Sequence, residues 1–581
     1  MTSPSYRRAE FLRSLWPWLP LWALLALLAI FAHGPMPMYS TRTLAVAWEM
    51  WNGGHWLVPY LNGEPYSHKV PLLFWMIHAG WLAFGVSDAW PRVLEVILGG
   101  TQLVLASMLA RRLFPLSPWI ARATPWMLMA LGYAFLFSLQ IMYEVLLSVW
   151  VLAALLCLVP RRDRDTPRFV LFGLCIGLGL LTKGPVMLLH VVFPWLLGPW
   201  WSEWARVHRG RWYGFGALAF IGGGLMLVAW AWPAIHAGGQ AYADELLFKQ
   251  TGGRVVDAFD HARPLWWYLP WLPVLLFPFS AWPRAWVALA TLPRPASDGV
   301  RFALAWLLPV LLAFSLVSGK QLYYPLPELA GACLLLAAAI TALRARGTPA
   351  AHSAWLGPWP AALGAVGCGV LLLVLPWIVA RPGFSNHWLI DLAPHGRYFG
   401  VIFLLLGVLV LPRARGELRR LALAGVLGAF VGNALFTLSQ WQNYDLTPVS
   451  SLLASVDRNG QPIANLDGYN GQYHFLARLR HPVTEIKNAG LSAWAAEHPD
   501  GIALAYPRRL TSADTRYAIL VQPFRSGWIV AWKAPVLAAL HAGHTPEEPA
   551  QPTLLFPEDN WRYHHSRSER ATSTPYRRTT P

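Results

Sequence analysis

Glu144 stands in Gln140-Ile141-Met142-Tyr143-Glu144, at the start of a long apolar run. A carboxylate, with an ordinary pKa near 4, can take a proton or orient an incoming nucleophile at neutral pH. Facing lipid it would be costly, which leaves a functional role or an ion pair with a neighbouring lysine. Five cations recur near the ends of apolar runs: Arg42, Lys69, Lys183, Arg263 and Lys320. Such cations can stabilise charge developing on an oxygen, or simply snorkel to headgroups. Lys183, between two apolar runs in Lys183-Gly184-Pro185, also reads as a turn lysine at the interface. Tyr323 and Tyr324 follow Lys320, and Trp266-Trp267-Tyr268 follow His261 and Arg263. At interface depth such rings are belt residues by default, with a substrate role as the sharper reading. His68 and His261 read as two interfacial histidines, since zinc takes at least three protein ligands.

The elements that must position these residues are membrane helices. Of 581 residues, 56% are hydrophobic and 13% charged, with 34 Trp. Soluble domains carry about 25% charged residues, so composition excludes a soluble globule and a disordered chain. The net charge of +17 could suggest nucleic acid, but in such a chain it points to Lys and Arg gathered in cytoplasmic loops. The four cysteines, Cys157, Cys175, Cys333 and Cys368, lie in apolar runs and read as packing residues.

A bilayer core of about 30 Å asks for roughly 20 apolar residues of helix. Candidate runs lie at 16–33, 71–87, 92–110, 120–138, 141–159, 168–183, 184–201, 213–233, 266–282, 301–317, 322–342, 357–379, 398–412 and 421–440. Arginine-rich loops at 111–112, 161–168, 206–211, 284–294, 344–346 and 413–420 fall on one side only if either 71–87 or 92–110 fails to span. The shorter, His78-containing 71–87 is expected to lie on the outer surface as an interfacial helix. Thirteen spans then remain, with the N-terminus cytoplasmic, outer loops at 34–91, 235–265 and 380–397, and everything after 441 outside.

Residues 441–556 read as a small extracytoplasmic α/β domain. Strands are expected at 503–506, 518–522 and 528–532 and helices near 447–457 and 469–479. From 557 to 581 the chain is rich in Ser, Thr, Arg and His and reads as disordered. The expected fold is thus an α-helical polytopic membrane protein of about thirteen transmembrane helices (1–440) with a C-terminal extracytoplasmic α/β domain.

The first outer loop carries Arg42, Glu49-Met50, Gly54-x-Trp56, Pro59-x-Leu61-Asn62-Gly63, Tyr66-x-x-Lys69 and Pro71-Leu72-Leu73-Phe74-Trp75. Later come Leu181-Thr182-Lys183-Gly184-Pro185, His261-Ala262-Arg263-Pro264 with Trp266-Trp267-Tyr268, and Ser318-Gly319-Lys320 followed by Tyr323-Tyr324-Pro325-Leu326-Pro327. In this order the chain resembles the bacterial polyprenyl-phosphate-sugar glycosyltransferases related to the aminoarabinose transferase of lipid A. It is more distantly similar to the protein O-mannosyltransferases, which share the GT-C fold. The likeness covers about residues 10–345.

The resemblance implies transfer of a sugar from a polyprenyl phosphate to lipid A, another glycolipid or an envelope polymer, at the outer face of the bacterial inner membrane. Lys69 would hold the lipid phosphate, with Arg42, Lys183, Arg263, Lys320, Tyr323 and Tyr324 as further substrate contacts. Some relatives hold a divalent metal nearby, and His68 and His261 fall at matching positions. The family's catalytic Asp falls at Tyr39 and its second carboxylate at Glu144. A phenol, ordinarily near pKa 10, replaces a carboxylate poorly. The implied roles are Glu144 as base or acceptor-orienting group and Tyr39 near the acceptor. The same substitution admits a catalytically impaired pseudoenzyme that binds lipid-phosphate sugars. A transporter would favour midplane charges and internal repeats, and here the charges sit at the outer edge.

Overall fold

The computed structural model describes residues 17–132, 140–160, 165–247, 263–411, 416–511, 514–546 and 553–554. Two compact units divide the chain. One comprises Met1–Ala32, Tyr66–Ile378 and Ala393–Leu435, and the other His33–Pro65, Val379–Leu392 and Phe436–Pro581. The stretch 34–91 is therefore divided between them, with 34–65 belonging to the unit that holds the C-terminal sheet.

Among the described residues, seven helices are long and apolar enough to cross a membrane: Ala89–Leu113, Arg209–Leu247, Asp298–Leu316, Leu326–Ala345, Trp359–Val379, His387–Val410 and Glu417–Ser439. Shorter apolar helices include Leu19–Phe31, Leu72–Phe84, Tyr143–Leu158, Phe169–Lys183 and Val186–Leu196. Thirteen residues in Leu72–Phe84 rise only about 20 Å, short of a bilayer core. Gly184, at φ 68°, and Pro185 separate Phe169–Lys183 from Val186–Leu196. Lys183 is therefore a helix-terminal residue at a sharp turn. The expected span 266–282 is not a continuous helix. Pro270, Pro273 and Pro278 remove main-chain donors, and the segment breaks into Leu265–Tyr268, Leu272–Leu275 and Phe279–Ala281.

Small residues set the packing of the helix that ends at Lys183. A methyl group on Gly173 would come within 2.8 Å of the Ala219 carbonyl, and one on Gly223 within 3.0 Å of the Gly173 carbonyl. Phe169–Lys183 and the long helix from Arg209 thus meet backbone to backbone, the close approach that glycine permits between membrane helices. Two buried charged pairs lie inside this unit. Arg284 meets Glu417, and His190 Nδ1 lies 2.7 Å from Glu328 Oε1, which also accepts from Trp306 Nε1 at 3.1 Å.

The second unit is built on a six-stranded mixed sheet. Its order is Thr484–Ile486, Ile463–Leu466, Ile502–Ala505, Gly527–Lys533, Leu520–Phe524 and Thr553–Leu554. The first three are parallel, and Gly527–Lys533 runs antiparallel to both neighbours. Ile463–Leu466 and Ile502–Ala505 are buried throughout, and Gly527–Lys533 is buried in all but its two end residues, because both faces are covered. Leu491, Trp494 and Leu537 pack one face, and Leu446, Val449, Leu453 and Tyr473 the other. The three expected strands are present at 502–505, 520–524 and 527–533. The helix near 447–457 is Thr447–Arg458, whereas 469–479 holds only the short His474–Ala477. The 557–581 tail lies outside the described residues.

Candidate functional site

In the helical unit, the Tyr143–Leu158 helix begins after an extended Met142 and places Glu144 in its first turn. Carboxylates are favoured there by the exposed main-chain N–H groups and the helix dipole. Glu144 is buried, and its Oε1 accepts from Lys183 Nζ at 2.6 Å. The same ammonium lies 4.6 Å from the Tyr324 ring centre and 5.6 Å from that of Tyr323. Next to Glu144, the Tyr143 ring carries the Lys69 ammonium at 4.7 Å and meets Phe74 edge-on at 5.9 Å. Four segments distant in sequence therefore converge: Lys69-to-Phe74, Tyr143-Glu144, Lys183, and Tyr323-Tyr324. The two tyrosines thus make cation–π contacts with Lys183, contacts that are worth more where water is excluded.

Lys320 and Arg263 form a second cluster in this unit. Lys320 is buried, and its ammonium donates to the carbonyls of Val317 at 2.5 Å, Arg263 at 2.9 Å and Ser318 at 3.5 Å. All three donors are thus turned to main chain. Together with the Arg263 N–H to Ser318 carbonyl bond at 3.1 Å, they staple 263–264 to the end of the Asp298–Leu316 helix. His68 stacks on Tyr66 at 5.1 Å, and Ser67 donates to Glu245 at 2.9 Å. His261 lies outside the described residues. Among the described residues, no group of three or more His, Cys, Asp or Glu gathers as a metal site would require.

In the second unit, Tyr39 immediately precedes the Ser40–Asn52 helix and is about half exposed. Arg42 turns back one helical turn, donating from Nε and Nη2 to the Met38 carbonyl at 3.3 Å each. Glu49 on the same helix holds the hairpin that follows. Its carboxylate accepts from the N–H groups of Asn62 at 2.5 Å and Gly63 at 2.8 Å. Both residues have positive φ, 58° and 80°, the type I′ turn that Asn-Gly favours. Asn62 then clamps Val483, donating to its carbonyl at 2.9 Å and accepting from its N–H at 2.7 Å. Behind Glu49, His474 Nε2 lies 3.4 Å away, and His474 Nδ1 is 2.8 Å from the Tyr469 hydroxyl. Tyr506 accepts from Gln472 at 3.0 Å, meets Tyr473 at 2.7 Å and donates to Asn465 at 2.6 Å. Burial pushes His474 down to about 4 and raises the Glu49 carboxyl, which the two main-chain N–H groups partly counteract. The motif residues Glu49 and Asn62-Gly63 are thus framework for the loop that begins at Tyr39.

Sequence reasoning did not single out Glu95. It is fully buried on the Ala89–Leu113 helix, and its Oε1 accepts from the Met142 N–H at 3.0 Å. A lone carboxylate inside the expected 92–110 run was the available signal. The His190–Glu328 pair carried the same kind of signal.

No family model matches the chain. It is 30% identical over 320 residues to the undecaprenyl phosphate-alpha-4-amino-4-deoxy-L-arabinose arabinosyl transferase of Pseudomonas aeruginosa (strain UCBPP-PA14), covering 53% of this chain and 56% of that one. The transferase of the same name from Enterobacter sp. (strain 638) is 26% identical over 365 residues, 60% of this chain and 63% of the other. The chain spans a little over half the length of the curated relatives it matches. Among solved structures, ArnT from Cupriavidus metallidurans bound to undecaprenyl phosphate aligns with TM-score 0.65 at 18% identity, covering 89% of this chain and 98% of that one. This likeness shows a shared fold: a polytopic helical membrane protein with a C-terminal α/β domain. The curated relatives carry the name of the group that the motifs resemble, and the structural likeness shows the fold.

Proposed function

We propose that the protein is an integral-membrane glycosyltransferase that moves a sugar from a polyprenyl-phosphate donor to lipid A, a related glycolipid or another envelope acceptor. The setting is the outer face of the bacterial inner membrane, with the N-terminus cytoplasmic and the C-terminal domain periplasmic. The observation that carries this reading is the convergence of Lys69, Tyr143, Glu144, Lys183, Tyr323 and Tyr324 from four separate segments. The shared name of the relatives, undecaprenyl phosphate aminoarabinose transferases, supports the donor class.

In this scheme the acceptor oxygen attacks the anomeric carbon, and the bond from that carbon to the donor phosphate oxygen breaks. The electron pair departs on the lipid phosphate. Lys69 meets the charge that develops there, the kind of preorganised contact that lowers a barrier most. Glu144 orients the acceptor and takes its proton, while Lys183 fixes the carboxylate. Lys320 and Arg263 shape the adjoining backbone. A divalent ion near His68 and His261 is not required by any of these steps.

Transfer from a panel of radiolabelled polyprenyl-phosphate sugars to envelope lipid extract in proteoliposomes tests the reading. Sugar transfer that disappears in Lys69→Ala supports it. Tyr39, a phenol at the position of the family Asp, favours a second reading, a lipid-phosphate-sugar-binding pseudoenzyme. Tight donor binding without turnover for every donor selects that alternative.

A further inference from the structure

Glu95 is the group the proposed mechanism does not use and the structure makes expensive. It is 0% exposed on an apolar helix. One of its oxygens accepts the Met142 N–H, and the other has no hydrogen-bond partner among the described residues. A buried carboxyl group half satisfied in this way is destabilising, so a chain that keeps one gains something by it. What lies beside it is Glu144. Met142, which Glu95 holds, is the extended residue preceding the helix that bears Glu144 in its first turn.

We infer that Glu95 is a positioning residue for Glu144, fixing the start of the Tyr143–Leu158 helix and turning the Glu144 carboxylate toward Lys183. The oxygen bonded to Met142 N–H sets where the first turn begins, and hence where the Glu144 Cα sits. The helix start fixed in this way leaves the Glu144 carboxylate 2.6 Å from the Lys183 ammonium. Glu95 itself, sealed from solvent, touches no substrate. The inference rests on the transfer reaction proposed above, with Glu144 as its base or acceptor-orienting group.

The test is steady-state transfer in proteoliposomes by the full chain, comparing wild type with Glu95→Gln, Glu95→Ala and Glu144→Gln, each checked for a wild-type melting profile in detergent. Misplacing a catalytic group by about 1 Å can cost on the order of 10²-fold. Glu95→Ala is therefore expected to lower kcat by about that factor and leave KM for the donor unchanged. Glu95→Gln keeps an acceptor for Met142 N–H without the charge, and is expected to recover part of the lost kcat. A plain packing role predicts the opposite: a lowered melting temperature, with kcat and KM moving together and no rescue by Gln. That outcome, or wild-type kcat in Glu95→Ala while Glu144→Gln is inactive, overturns the inference and leaves the transfer reading standing. A wild-type protein that transfers nothing from any donor, or a fully active Glu144→Gln, removes the reading on which it rests.

Discussion

Glu144 is buried and Glu49 half-buried, each near a basic side chain, and each is held differently. Glu144 in the helical unit meets a lysine ammonium at 2.6 Å, with tyrosine rings around the cation. Glu49 in the sheet-bearing unit is gripped by two main-chain N–H groups, and its basic neighbour His474 is 3.4 Å away with its pKa pushed down to about 4. The first arrangement is an ion pair, whereas the second surrounds its carboxylate with neutral donors. An ion pair at a helix start can be opened by an incoming substrate. A carboxylate locked into a turn, backed by a hydroxyl network, makes a rigid support. Chemistry is thus expected at the first and architecture at the second.

The largest effect that would sharpen the contrast is on turnover. Glu144→Gln is nearly isosteric, and loss of a general base commonly costs about 10²–10⁴-fold. Transfer should fall by at least about 10²-fold while the melting temperature stays near wild type. Glu49→Gln, by contrast, should act mainly on the stability of the sheet-bearing unit. Equal losses of turnover in the two variants would break the comparison.

Lys183→Met comes next. It leaves Glu144 buried without its cation, a change that typically costs about 3–5 kcal/mol when one partner of a buried pair is removed. A lowered thermal midpoint in detergent, partly restored in the Lys183→Met/Glu144→Gln double variant, is the expected signature. A double variant no more stable than the single one would show that the pair carries little energy.

The third prediction concerns pH and the second unit. His474 titrates near 6.5 unfolded and at about 4 folded. Between these values the unfolded chain binds the extra proton, so stability falls as pH drops from about 6.5 to 4, by up to about 3 kcal/mol. The raised Glu49 carboxyl acts with the opposite sign, because the folded state takes up its proton earlier on acidification. The net acid-side loss should be smaller than the histidine contributes alone. It should be attenuated in His474→Gln, as read by tryptophan fluorescence on Trp528 and its neighbours in the sheet.

How far each region was legible in the sequence follows from the same physics. Glu144, Lys69 and Lys183 announce themselves because a charge beside an apolar run is expensive and short motifs surround it. Their convergence was not legible, since it depends on how four segments distant in sequence pack. Lys320 looks from sequence like the other cations, and only coordinates show its ammonium turned onto three carbonyls. The 266–282 run misled because hydropathy registers its apolar residues and overlooks what three prolines do to helical hydrogen bonding. Strands Ile463–Leu466 and Thr484–Ile486 were missed for a related reason: each is very short and takes its identity from parallel neighbours far along the chain. The tie between the Asn62-Gly63 turn and Val483 spans 421 residues and leaves no local trace.

That turn supplies the smallest effect. Gly63 sits at φ 80°, and a methyl there would come within 2.9 Å of Pro482 Cγ. Gly54, ending the Ser40–Asn52 helix, sits at φ 68° with nothing within 4 Å of a built methyl. Both substitutions to Ala pay the left-handed backbone cost of about 1–2 kcal/mol. Only Gly63→Ala adds a clash, and that clash bears on the main-chain N–H that Glu49 holds. Gly63→Ala should therefore lower the midpoint more than Gly54→Ala in chemical denaturation followed by tryptophan fluorescence. The difference should vanish in the Glu49→Ala background, where the turn no longer has a carboxylate to lose. If the two glycines remain unequal there, the clash with Pro482 acts on its own, and Glu49 is less of an anchor than its two hydrogen bonds imply.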